Sequence, residues 1–104
     1  MATGRLGVSN PSPNVNTLVY TVPNGLLSCV NICVVNMGIQ DLNFTAYISD
    51  GSNISLDRLL ESNCTIAANG GVLEREGILL TAGETIYVQS STSNASVRIH
   101  GYED

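Results

Sequence analysis

Apolar and polar side chains alternate with a period of two along several stretches of the chain, and clusters of Gly, Asn, Ser and Pro separate those stretches. Two is the strand period, because successive side chains of a strand point to opposite faces of its sheet. Residues 17–22 (TLVYTV) are β-branched and aromatic and predict a strand. It ends at Pro23-Asn24-Gly25, where Pro fixes φ and Gly accepts a positive one. Residues 26–35 predict a longer strand, with Val30, Ile32 and Val34 on one face and Cys29, Asn31, Cys33 and Val35 on the other. The second set is too apolar for free solvent, so this strand is expected to be covered on both sides or to line an interface. Residues 42–49 alternate Leu42, Phe44, Ala46 and Ile48 against Asn43, Thr45, Tyr47 and Ser49, a half-buried strand.

Asp50-Gly51 reads as a turn, and residues 52–65 as a loop with a weak helical or strand element at 56–61. Asn69-Gly70-Gly71 turns the chain into 72–76 and 78–80, and the Ala82-Gly83 turn leads into 85–90, where Ile86 and Val88 oppose Thr85, Tyr87 and Gln89. Residues 95–102 place Val97 and Ile99 inward and Arg98 and His100 outward. Residues 1–16, broken by Asn10-Pro11-Ser12-Pro13-Asn14, predict an extended N-terminal arm outside any sheet. The arm is either a frayed end or a segment that orders against a neighbouring subunit. Short strands divided by turns predict an all-β sandwich or barrel, one domain over 17–104 behind the arm.

Composition narrows the function classes. Charged residues make up only 12% of the 104 residues, against about 25% in ordinary domains. Packing into a larger assembly accounts for such a deficit, although neutral polar residues also cover a free surface. The net charge is −5, and the four basic residues are Arg5, Arg58, Arg75 and Arg98, with no lysine. Nucleic-acid binding and anionic membrane surfaces, which need clustered cations, are not expected. Without lysine there is no Schiff-base or P-loop chemistry. The opening residues carry no apolar signal-peptide core and no run of about 18 apolar residues occurs, so folding in a reducing cytoplasm with free Cys29, Cys33 and Cys64 is expected.

Candidate chemistry is sparse. The single histidine, His100, reads as an exposed strand residue without a nucleophile in reach. Cys29 and Cys33 share a strand face roughly 13 Å apart, too far for a disulfide or a shared zinc ion. Glu74 and Glu76 straddle Arg75 on one strand face. Paired carboxylates serve glycoside hydrolysis, but a solvated face or an inter-subunit salt bridge through Arg75 is the expectation in a chain without Trp. Asp41, Asp50 and Asp57 lack calcium-loop spacing. The N-x-S/T sequences at Asn43, Asn53, Asn63 and Asn94 read as chance in an Asn- and Ser-rich chain. No catalytic residue, metal or cofactor is expected.

Two segments carry a resemblance. The run AANGGVLEREGILLTAGETIYV over residues 67–88 with the close ASVRIHGYED, and the opening ATGRLGVSN with LVYTVPNG and VNMG, resemble small virion structural proteins of tailed, cyanophage-like bacteriophages. The match covers most of the chain and is weakest over 36–66. The resemblance implies a compact β-sandwich (jelly-roll or Ig-like) present in many copies and without enzymatic activity. The leading expectation is a capsid decoration, or cement, protein on the outer capsid surface; the alternatives are a tail, baseplate or neck component, and a host carbohydrate-binding module. It implies the major capsid protein or tail proteins as partners, a homo-oligomer (a trimer), and a virion assembled in the bacterial cytoplasm. Because Tyr and Arg are enriched at interface anchors, Arg5, Leu6, Tyr20, Tyr47, Tyr87 and Tyr102 are the candidate contacts.

Overall fold

A computed structural model describes residues 3–49 and 59–104. The described residues form eight strands and no helix: β1 (Thr3–Ser9), β2 (Thr17–Thr21), β3 (Ser28–Asn36), β4 (Leu42–Ser49), β5 (Leu59–Ile66), β6 (Val72–Leu80), β7 (Thr85–Ser90) and β8 (Ala95–Glu103). They make two four-stranded sheets, ordered β1-β8-β3-β6 and β2-β7-β4-β5 and termed here sheets A and B. All strand pairs within the sheets are antiparallel. Only β4 and β5 are neighbours both in sequence and in a sheet, so nearly every connection crosses the sandwich.

The predicted alternation builds the core. Val30, Ile32 and Val34 of β3, Leu42, Phe44 and Ala46 of β4, Ile86 and Val88 of β7, and Val97 and Ile99 of β8 are all buried between the sheets. Leu6, Val19, Leu26 and Leu73 pack against this cluster from the margins. The layer is mainly aliphatic, with Phe44 and Tyr20 as its aromatic members.

Three expectations need correction. The N-terminal segment is not an arm outside the sheets. Thr3–Ser9 pairs with β8 as the edge strand of sheet A, and Gly4 takes φ +90 there. Residues 10–16 continue as a strap past the end of β7 and the loop that leads to β8. Asn10 donates to the Ser93 and Ala95 carbonyls at 2.6 and 2.8 Å, Pro11 is buried, and the Asn14 N–H donates to the Ser90 carbonyl at 2.7 Å. Within 52–65, expected as a loop with a weak helical or strand element at 56–61, the described residues from Leu59 on belong to strand β5 (Leu59–Ile66), an edge strand of sheet B. The Asp50-Gly51 turn, Asp57, Arg58 and Asn53 lie outside the described residues. Finally, 72–80 is one strand, interrupted by a bulge at which Gly77 takes φ +68, and its N–H donates to Asn31 Oδ1 at 2.9 Å. A side chain is strained in that left-handed conformation, which is why glycine stands there.

The chain end is also integrated. Asp104 exchanges two backbone hydrogen bonds with Leu27, at 2.8 and 3.0 Å, extending the β8–β3 ladder. Glu103 is buried, 8% exposed. Gly101 lets β8 approach β3 so closely that a Cβ there would collide with the Cys29 carbonyl oxygen. At the other end of the sandwich the side chain of buried Asn36 ties loops together. Its amide donates to the Gln40 and Ile66 carbonyls and its oxygen accepts the Gly38 N–H, all at 2.9–3.0 Å.

Candidate functional site

The six candidate contact residues do not form one patch. Arg5 is exposed on the outer face of sheet A, paired opposite His100. Tyr102 is on that same face and 51% exposed. Leu6 turns inward and packs on the core. Tyr20 is also inward, so it is a core residue and not a surface anchor. Its hydroxyl donates to Glu103 Oε2 at 2.6 Å and lies 2.6 Å from Ser28 Oγ. Tyr has one hydroxyl proton, and with that proton given to Glu103, Ser28 is the donor of the second bond. This triad joins β2 of sheet B to β3 and β8 of sheet A. Burial, followed by the Glu103 hydrogen bond, pushes the Tyr20 hydroxyl up to about 12.

Tyr47 and Tyr87 are on the outer face of sheet B, where their rings stack with centroids 5.5 Å apart and planes 11° from parallel. The alternation along β4 is as predicted, and the outer face is open over its first half only, with Asn43 exposed and Thr45 half-buried. Tyr47 is 0% and Ser49 2% exposed. Thr85 Oγ1 donates to the Ser49 carbonyl, and burial followed by Tyr87 raises the Tyr47 hydroxyl above its ordinary value. Tyr47 is therefore a packed residue, not an available contact.

Further along the same outer face is a polar cleft of about 180 Å³, lined by Asn14, Asn43, Thr45, Asn63, Gln89, Ser90 and Ser91. It is held in shape by its own hydrogen bonds. Gln89 Nε2 donates to the Asn14 carbonyl, Thr65 Oγ1 to Asn43 Oδ1, and the Asn63 N–H to Thr45 Oγ1, at 3.0–3.2 Å. Asn14 and Asn63 both take positive φ, 59 and 52, a conformation Asn tolerates better than most residues. The lining is amide and hydroxyl, with no charged side chain.

The outer face of sheet A has a different chemistry. β3 runs through it with Cys29, Asn31, Cys33 and Val35 half-buried, as expected of its second apolar set. Register places Leu79 and Tyr102 on either side of Cys29, and Glu74 and Arg98 on either side of Cys33. Leu27, Leu79 and Tyr102 border an apolar hollow at one end, with Leu79 77% exposed. Burial and then Glu74 push the Cys33 thiol up, while Arg98 pulls it back. All three cysteines are free.

His100 is half-buried, not exposed: Asn31 Nδ2 lies 3.4 Å from its Nε2, and its Nδ1 is buried with no hydrogen-bond partner among the described residues. Arg75 pairs with neither Glu74 nor Glu76. It turns to the other side of β6 and meets Glu61 of β5 at 3.5 Å, joining the edges of the two sheets. Among the described residues no group of three or more His, Cys, Asp or Glu side chains is placed to hold a metal ion. No described helix is long and apolar enough to cross a membrane. Comparison with protein-family models, with curated proteins and with solved structures finds no match for the chain.

Proposed function

We propose that this chain is a non-enzymatic structural protein of a tailed-phage virion, a decoration protein that binds the outer capsid surface and stabilises the shell. The observation that carries the reading is the strand order β1-β8-β3-β6 over β2-β7-β4-β5. It is the order of an eight-stranded jelly roll, an architecture used by viral capsid and lectin domains, and it differs from the ABED/CFG order of an Ig sandwich. The segments that resemble phage virion proteins support the same reading. So does the low charged fraction, which suits a subunit much of whose surface meets other protein. On this reading the partner is the major capsid protein, the protein acts as a homo-oligomer, and it joins the particle in the bacterial cytoplasm. Electron cryomicroscopy of intact particles is the test. Density for this fold repeated over the capsid lattice supports the proposal. Density confined to tail, baseplate or neck moves the protein there, and absence from the particle overturns the virion reading.

The polar cleft favours a second reading, a host carbohydrate-binding module, because amides and hydroxyls are the groups that match saccharide hydroxyls. Tyr87 lies two residues from Gln89 on the same sheet face, but half-buried and stacked on Tyr47, so it offers little open platform. Glycan-array binding that is lost on Asn43→Ala favours this second reading, and no binding eliminates it.

A further inference from the structure

We infer that the outer face of sheet A is a self-association surface, on which a second copy of this chain packs face to face about a twofold axis parallel to β3. The argument rests on the rows of side chains that cross the face. One row runs Leu79–Cys29–Tyr102 and the next Glu74–Cys33–Arg98, each with its middle member on β3. A twofold axis along β3 reverses each row onto itself. Leu79 then meets the partner's Tyr102, and Glu74 meets Arg98 of the partner subunit, each contact occurring twice. The residues on the axis, Cys29, Asn31 and Cys33, meet their own copies, and all are neutral side chains for which self-contact carries no charge penalty.

This charge pattern selects the occupant. Arg98 and Glu74 are both exposed and neither is in an ion pair among the described residues. They stand on opposite sides of β3; Arg5 of β1 adds a second cation beyond Arg98, and Asp104 adds an anion beside Tyr102 at the apolar end. A partner surface with the same two charges in reversed order satisfies both, and a second copy supplies that surface. The apolar end agrees: exposed Leu79 and Tyr102 cover each other. The axis also keeps β3 parallel to its copy, the aligned arrangement in which sheets pack.

Size sets the strength. The axis over β3 sets β8, β3 and β6 against their copies and leaves β1 outside the contact; three strands about 4.8 Å apart and about 30 Å long give roughly 430 Å² per copy. The pair buries about 860 Å², the size of a weak, transient interface. The dimer is therefore expected to form and dissociate with concentration.

Sedimentation velocity of the full chain from about 10 to several hundred μM tests this. The expected result is a monomer–dimer equilibrium that Arg98→Glu weakens at least tenfold, Glu74→Arg likewise, and the double charge swap restores to within a few-fold of the original. A second measurement is independent of the charges. A short bis-maleimide should cross-link pairs through Cys33 in a Cys29→Ser/Cys64→Ser variant, and should not do so through Cys64 in a Cys29→Ser/Cys33→Ser variant. Circular dichroism confirms that each variant is folded. A monomer at every concentration, a trimer, or a dimer indifferent to both single reversals overturns the inference. It does not rest on the virion reading: a monomer at every concentration would remove the free homo-oligomer from that proposal, and the place in the particle would still be decided by microscopy.

Discussion

The outer faces of the two sheets carry similar side chains and treat them in opposite ways. On sheet B the row Leu59–Tyr47–Tyr87–Leu18 crosses all four strands, and Tyr47 at its centre is fully buried. On sheet A the row Leu79–Cys29–Tyr102 leaves Leu79 77% and Tyr102 51% exposed. Residue type alone does not decide burial. In its row Tyr47 stacks on Tyr87, whereas Tyr102 has the small Cys29 beside it on β3. The first row belongs to the stability of the fold. The second is surface that folding leaves unused.

The largest expected effect separates these two tyrosines. Tyr47→Ala removes a buried ring and its stacking on Tyr87, and is expected to cost about 3–5 kcal/mol, the range for large aromatic truncations. Tyr102→Ala removes a ring half in water, and is expected to change monomer stability by no more than about 0.5 kcal/mol. Urea unfolding of both variants at a concentration that keeps them monomeric measures the contrast. Equal costs would mean that the two faces are not different in kind.

A smaller effect comes from the seam between the sheets. Tyr20→Phe deletes the hydroxyl that donates to Glu103 and accepts from Ser28, leaving two buried polar groups short of a partner. The expected cost is about 1–3 kcal/mol. The substitution also has a pH signature. The Tyr20 hydroxyl is held at about 12, above its ordinary value of 10. Between those values the unfolded chain has released this proton and the folded chain has kept it. The unfolded state then binds fewer protons, so stability falls as pH rises from about 10 to about 12, and the contribution is fully present below 10. Unfolding midpoints from pH 9 upward should decline more steeply in the parent chain than in Tyr20→Phe. An identical decline would show that Tyr20 titrates in the folded state as it does when unfolded.

These two cases mark what was legible in the sequence. The period-two alternation placed the inward residues of β3, β4, β7 and β8 correctly, because those strands are central or well paired and their inner faces are simply apolar. The turns at Asn24-Gly25 and Ala82-Gly83 were equally plain, each with a glycine at positive φ. Two of the four edge strands, β1 and β5, were not. In β1, Gly4 and Gly7 interrupt the alternation, and β5 reads LLESNCTI with much of its surface exposed. An edge strand has one neighbour and less area to bury, so its sequence is under weaker constraint toward apolar residues. The contact candidates failed for another reason. Tyr20 and Tyr47 have the residue type of interface anchors, and type does not report that one hydroxyl finds Glu103 across the sandwich or that one ring stacks on Tyr87. The charge order across sheet A was hidden similarly, since Glu74, Cys33 and Arg98 are neighbours only through the register of three strands.

The smallest effect contrasts two exposed arginines. Arg75 pairs with Glu61 across the sandwich edge at 3.5 Å, with the Arg75 side chain 50% and that of Glu61 23% exposed. A pair this open is screened by water and salt, so Arg75→Ala is expected to cost no more than about 1 kcal/mol and less at 0.5 M salt. Because Arg75 faces away from the outer face of sheet A, the same substitution should leave self-association unchanged, whereas Arg98→Glu should weaken association and leave monomer stability within about 0.5 kcal/mol. Running urea unfolding and sedimentation on both variants assigns each arginine to one role. Loss of association in Arg75→Ala would mean that the dimer uses the sandwich edge, and a cost above about 2 kcal/mol would mean that the edge pair, not core burial alone, holds β6 against β5.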